Sequence, residues 1–211
     1  MSAMDAIPEQ WSAREMKMVN VVDVFQHKPG IMKKAEKYLA RLKEGLAANI
    51  AGDCASYPDG VDVAKGQFAR GENHKGFPFI SMDMPQQFSK TEMFTYRTLF
   101  WWGHYLGFAF MLKGECLPIY VDRLMARKET PASEEIYFAR NASPWEWDWT
   151  EENFKLLSAT PEEEFRAQID SIQYIKLCRF YPLDDPAFAS FDWAAEGLNI
   201  YRAMTKLFLY P

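Results

Sequence analysis

Gly71 and Gly76 bracket the segment Glu72-Asn73-His74-Lys75, so three functional side chains, Glu72, Asn73 and His74, are expected at the tip of a tight loop. If His74 and Glu72 converged with Asp83 or His104, they would offer a general base or a two-histidine, one-carboxylate metal set. The simpler reading is a hairpin turn in which asparagine and glycine adopt unusual dihedrals. That reading is preferred, so no metal site is assigned and no cofactor is specified. His104, beside Trp102 and Tyr105 in the most apolar stretch, could act as acid, base or ligand. The commoner role of such a histidine is a bend residue bonded to backbone.

Arg97 stands alone among alternating aromatics. Its forked donors could hold an anionic ligand while the guanidinium stacks on Trp101 or Tyr96. Pairing with Asp83 or Glu92 is the structural alternative, and the favoured one, because buried arginines are normally paired. Trp145, Trp147 and Trp149 alternate with Glu146 and Asp148, a two-residue period that suits an edge strand or an extended arm. Carboxylates two apart on one strand point the same way, whereas glycosidase carboxylates flank the scissile bond. A sheet-edge or oligomer contact is expected of this row, ahead of a sugar platform. Cys54, after a helix C-terminus, is poorly placed to become a thiolate. Phosphate-binding, dinucleotide, serine-hydrolase, zinc-protease and calcium-loop motifs are absent from the sequence.

These residues need elements to position them. A first helix starts at Ser12, with Glu15 completing a capping box and Trp11 and Met16 placed as a staple. It is expected to end at Pro29 and Gly30. A second runs from about Gly30 to Ile50 on the spacing of Ile31, Ala35, Tyr38, Leu39, Leu42, Leu46 and Ile50. Lys65 to Arg70 and Phe77 to Met84 read as a hairpin around the 71–76 loop, stopped by Pro85. Phe94 to Leu112 carries the strongest strand signal, bent at Gly103 and His104 and apolar on both faces. A short helix is expected from Pro118 to Lys128, and a strand from Glu134 to Arg140. Thr160, Pro161 and Glu163 then cap a long helix that Pro182 stops, and Asp192 caps a last helix carrying Trp193, Leu198, Tyr201, Met204 and Phe208. The expected architecture over 1–211 is a single α+β domain, with a central, mostly antiparallel sheet and helices from both ends packed on it.

The stretch GENHKGFPFISMDMP followed by YRTLFWWGHYLGFAF resembles uncharacterised bacterial proteins, of the kind found in Bacteroidetes, that carry a G-E-N-x-x-G-x-P segment and then R-x-x-F-W-W-G. The similarity covers roughly residues 65–113. It implies a bacterial intracellular protein of unassigned function and supplies no catalytic residue.

Composition narrows the classes further. The chain has 211 residues, a net charge of -5 and 16% aromatic residues, which supplies a packed core and argues against disorder and against general nucleic-acid binding. Three scattered cysteines, Cys54, Cys116 and Cys178, suit a reducing cytoplasm rather than a disulfide framework. Met1 to Asp5 shows no signal-peptide pattern, and the uncharged run Thr98–Leu112 is too short to span a membrane. The sequence specifies no reaction and leaves open whether the protein is an enzyme. The expectation is a cytoplasmic small-ligand-binding protein, its pocket lined by Trp101, Trp102 and Tyr105 and gated by Glu72–His74. The alternative is a homo-oligomeric structural protein, with Trp145–Trp149 or one sheet face at the contact.

Overall fold

Strand alternation in the middle of the chain builds one antiparallel sheet, and amphipathic helices from both ends cover one face of it. The computed structural model describes residues 10–53 and 57–210. Cys54 and the Met1–Asp5 segment lie outside the described residues. The seven strands are β1 (Gln67–His74), β2 (Phe77–Phe88), β3 (Met93–Trp101), β4 (Tyr105–Lys113), β5 (Tyr137–Ala139), β6 (Phe154–Leu156) and β7 (Ile175–Pro182). Their spatial order is β1-β2-β3-β4-β7-β5-β6, every pair antiparallel. The helices are α1 (Ala13–Val19), α2 (Asp23–Ala51), α3 (Leu117–Arg127), α4 (Glu162–Ile172) and α5 (Trp193–Phe208). This is the expected α+β architecture, with α2 and α5 from opposite ends of the chain packed together on the sheet.

Alternation sorts the central side chains into two cores. Tyr96, Phe108 and Phe110 face the helices and meet Leu39, Leu42 and Leu46 of α2 and Tyr201, Met204 and Phe208 of α5. Leu99, Trp101, Ala109, Met111, Cys178 and Phe180 face the other way and are covered by Trp147 and Phe154. Cys116 and Cys178 are free thiols. No helix among the described residues is long and apolar enough to cross a membrane.

Several boundaries differ from expectation, each for a physical reason. The capping box at Ser12 is present, with Glu15 N–H donating to Ser12 Oγ at 3.2 Å and Ser12 N–H to Glu15 Oε2 at 2.6 Å. Yet α1 ends at Val19, and α2 starts at Asp23 and runs through Pro29 and Gly30. Proline there frees only the Phe25 carbonyl, on an exposed turn where water can take the bond. β1 continues to His74, so Glu72, Asn73 and His74 lie on a strand rather than at a loop tip. The turn is the two residues Lys75 and Gly76, both left-handed at φ 52° and 90°, which matches the twist of a hairpin. β2 passes Pro85 by a bulge between Asp83 and Gln86. Thr160 does not cap α4: its hydroxyl donates to Leu156 O at 2.7 Å, and Pro161 occupies the cap position. The long helix expected up to Pro182 breaks at Gln173, left-handed at φ 59°, and the rest becomes β7. Trp145–Trp149 forms no strand; it is an extended arm.

Candidate functional site

The arm, residues 140–153, crosses the sheet face opposite the helices. Its path is fixed by side chains of strands beneath it. Lys176 on β7 donates from Nζ to Pro144 O at 3.1 Å and Glu146 O at 2.6 Å, and the Trp147 ring lies over that ammonium at 3.3 Å. Tyr105 donates to Trp147 O, and Tyr174 to Asn141 O. From the hairpin tip, Lys75 donates to Glu146 Oε1 at 2.7 Å and pairs also with Asp148. Glu146 in turn accepts from the N–H groups of Trp147 and Asp148, both at 2.8 Å. Two hydrogen bonds from Lys75 hold its ammonium above the ordinary lysine range. Burial pushes the Glu146 carboxyl up, but the Lys75 ammonium and the N–H groups of Asp148 and Trp147 together outweigh it and the net direction is down.

Between arm and sheet lies a cleft of about 160 Å³ lined by His74, Phe79, Ser81, Arg97, Leu99, Trp145 and Trp147. β1 delivers His74, β2 delivers Phe79 and Ser81, β3 delivers Arg97 and Leu99, and the arm supplies the two indoles. Arg97, its side chain 14% exposed, is clamped by Asp83, Nε to Oδ1 at 2.7 Å and Nη2 to Oδ2 at 2.8 Å. Thr95 Oγ1 supports the carboxylate at 3.3 Å. Nη1 of Arg97 makes no hydrogen bond among the described residues, and the guanidinium stands 5.1 Å from the Trp145 ring and 5.9 Å from that of Trp147. His74 has a buried Nε2 with no hydrogen-bond partner. Burial, assisted by the Lys75 charge, pushes its imidazole below the usual histidine value, which favours the neutral ring.

The expected site residues therefore divide. His74 and Arg97 line the cleft. Trp101 is fully buried behind it, donating to His74 O at 3.3 Å, and His104 stacks on its indole at 3.7 Å. His104 Nε2 is also buried and unpartnered, but this residue borders a different cleft with Phe100, Trp102 and Leu183. Glu72 belongs to the helix side, paired with Lys28 of α2, and Asn73 is exposed. Trp102 packs against the helix-side core. The pocket expected from Trp101, Trp102 and Tyr105 does not form, because consecutive residues at the end of β3 point to opposite faces. Among the described residues, His74 and Arg97 share one cleft, while His104 and Glu72 each border another.

The metal triad is not assembled either. Among the described residues no group of three or more histidine, cysteine, aspartate or glutamate side chains is placed to hold an ion. Sequence reasoning missed Lys176, since β7 was expected to be helical; the alternation in Ile175-Lys176-Leu177-Cys178-Arg179-Phe180 was the signal. It also missed that the tryptophan row is a wall of the cleft. Comparison with protein-family models, curated proteins and solved structures returns no significant match.

Proposed function

We propose that the protein binds a small molecule in the cleft between the sheet and the tryptophan arm. The observation that carries this reading is Arg97. Asp83 fixes its guanidinium and neutralises it, yet one nitrogen stays without a hydrogen bond inside an aromatic-walled cavity. Beside it in the same cleft the buried Nε2 of His74 also lacks a partner, and a buried polar atom of that kind costs free energy until a ligand group meets it. The ligand chemistry follows from the walls. Trp145, Trp147, Phe79 and Leu99 suit a flat or compact apolar body, and Arg97 with neutral His74 suits a carbonyl, hydroxyl or single carboxylate at one end. A cavity of about 150 Å³ is enough for benzene, so the body is of single-ring size.

Trp145 is 48% exposed, so it forms the open rim and can be changed without emptying the core. Small aromatic carboxylates and amides, benzoate and benzamide among them, serve as probes. Binding is expected to raise the melting midpoint and to perturb tryptophan fluorescence saturably. Trp145→Ala and His74→Ala should each weaken that binding by roughly tenfold or more while the chain stays folded. If saturable binders are found whose affinity neither substitution alters, the cleft is not the site.

A further inference from the structure

Nine large apolar side chains between Trp11 and Ile31 are 41% to 70% exposed, Trp11 and Phe25 most of all. α1 buries none of its residues. The buried stripe of α2 begins only at Ala35, although Ile31 and Val24 continue it upstream at four- and seven-residue steps. The helix thus carries its core-facing stripe past the point where its own sheet covers it. Beside it lies the largest groove described, about 780 Å³, open between α2 and the outer strand β1 and walled by Phe25, Met32, Arg70, Glu72 and Ile80. We infer that a second copy of this chain docks here, the α1–α2 segment of each protomer seated against that of the other.

Area and charge both select a second copy as the occupant. Nine such side chains expose on the order of 900 Å², against about 800 Å² per partner in a standard interface and about 300–600 Å² for the largest patch of a typical monomer. Along the apolar segment Arg14, Glu15, Lys17 and Asp23 alternate in sign. A two-fold contact sets a surface against itself, so a mixed pattern lets each charge meet its opposite in the antiparallel partner. A nucleic acid or an anionic lipid surface would instead favour one sign throughout. Of the basic residues of α2, Lys33 borders this groove beside Glu36, which keeps the mixed sign there, while Lys34, Lys37 and Arg41 are exposed outside it.

Sedimentation equilibrium of the full chain across the micromolar range tests this. The expected mass is twice that of the chain at the upper end. Val22→Glu and Phe25→Glu, at sites 53% and 70% exposed, should each weaken association by roughly tenfold or more, with far-UV circular dichroism unchanged. Ile119→Glu on α3, equally exposed at 51% but distant in the chain, should leave the mass as it was. A chain that stays monomeric at every concentration overturns the inference. So does a dimer that survives both glutamates, or a monomer that instead binds phosphatidylserine vesicles through this segment.

Discussion

Lys176 sits fully buried at the second position of β7, its ammonium held by the carbonyls of Pro144 and Glu146 and by the face of Trp147. Burial pushes that amine down to about 7. Above pH 7 the folded protein has released this proton while the unfolded chain, with an ordinary lysine near 10.4, still holds it. The unfolded state then binds more protons, so stability rises with pH. Cys178 works in the opposite direction, since burial pushes its thiol up to about 12 and the unfolded thiol ionises near 8.5. Its stabilisation is intact below about 8.5 and is lost as pH climbs toward the folded value. The window between pH 7 and about 8.5 therefore isolates Lys176. Urea denaturation should show the protein gaining about 1–2 kcal/mol across it. Lys176→Met should abolish that gain. A wild-type midpoint that is flat or falls over this window would sink the assignment.

At the scale of elements, two glycines in helices should respond in opposite ways to the same change. Gly30 lies inside α2 with nothing within 4 Å of where a Cβ would stand. Gly30→Ala should therefore stabilise the protein by about 0.5–1 kcal/mol, the ordinary helix preference. Gly197 in α5 is where three elements meet. A Cβ there would stand 2.7 Å from Leu42 Cδ2 of α2 and 2.9 Å from Phe108 Cε1 of β4, while Tyr96 of β3 donates to the Gly197 carbonyl at 2.7 Å. Gly197→Ala should cost about 1–3 kcal/mol, because overpacking outweighs helix propensity. Denaturant midpoints of the two variants check the signs. The same contrast between local and tertiary causes explains what the sequence could disclose. β3 and β4 were readable because their alternation is long and Gly103-His104 breaks it cleanly. The capping boundary of α1 was readable because Ser12 and Glu15 satisfy each other within one turn. β7 was not, since Ile169, Ile172 and Ile175 keep a three-residue step across the helix end, and only the left-handed Gln173 interrupts it. The cleft was not readable either. Arg97 and Asp83 are far apart in sequence from Trp145 and Trp147, and only the pins from Lys75, Tyr105 and Lys176 bring the arm over them.

For the whole molecule, the decisive property is how unevenly cover is distributed over one sheet. β4 is buried at eight of its nine positions and bonded on both sides, to β3 and β7, whereas β1 is an outer strand with no fully buried residue. Opening β4 requires both cores to separate, so its amides should exchange only through global unfolding, while those of β1 exchange through local opening. α1 stands at the far end of that gradient. It has seven residues and no buried side chain, and isolated helices shorter than about 12–15 residues are marginal in water. Hydrogen exchange followed by mass spectrometry should thus find peptides from 93–113 slowest, 67–74 intermediate and 13–22 fastest in dilute solution. Concentrating the protein should slow only 13–22 and the adjoining turns of α2, because a second copy would cover that segment and leave the sheet's own gradient unchanged. β1 protected as strongly as β4 would refute the uneven cover. An α1 whose exchange ignores concentration would refute the docking of a second copy there, while leaving the ligand cleft on the other side of the sheet untouched.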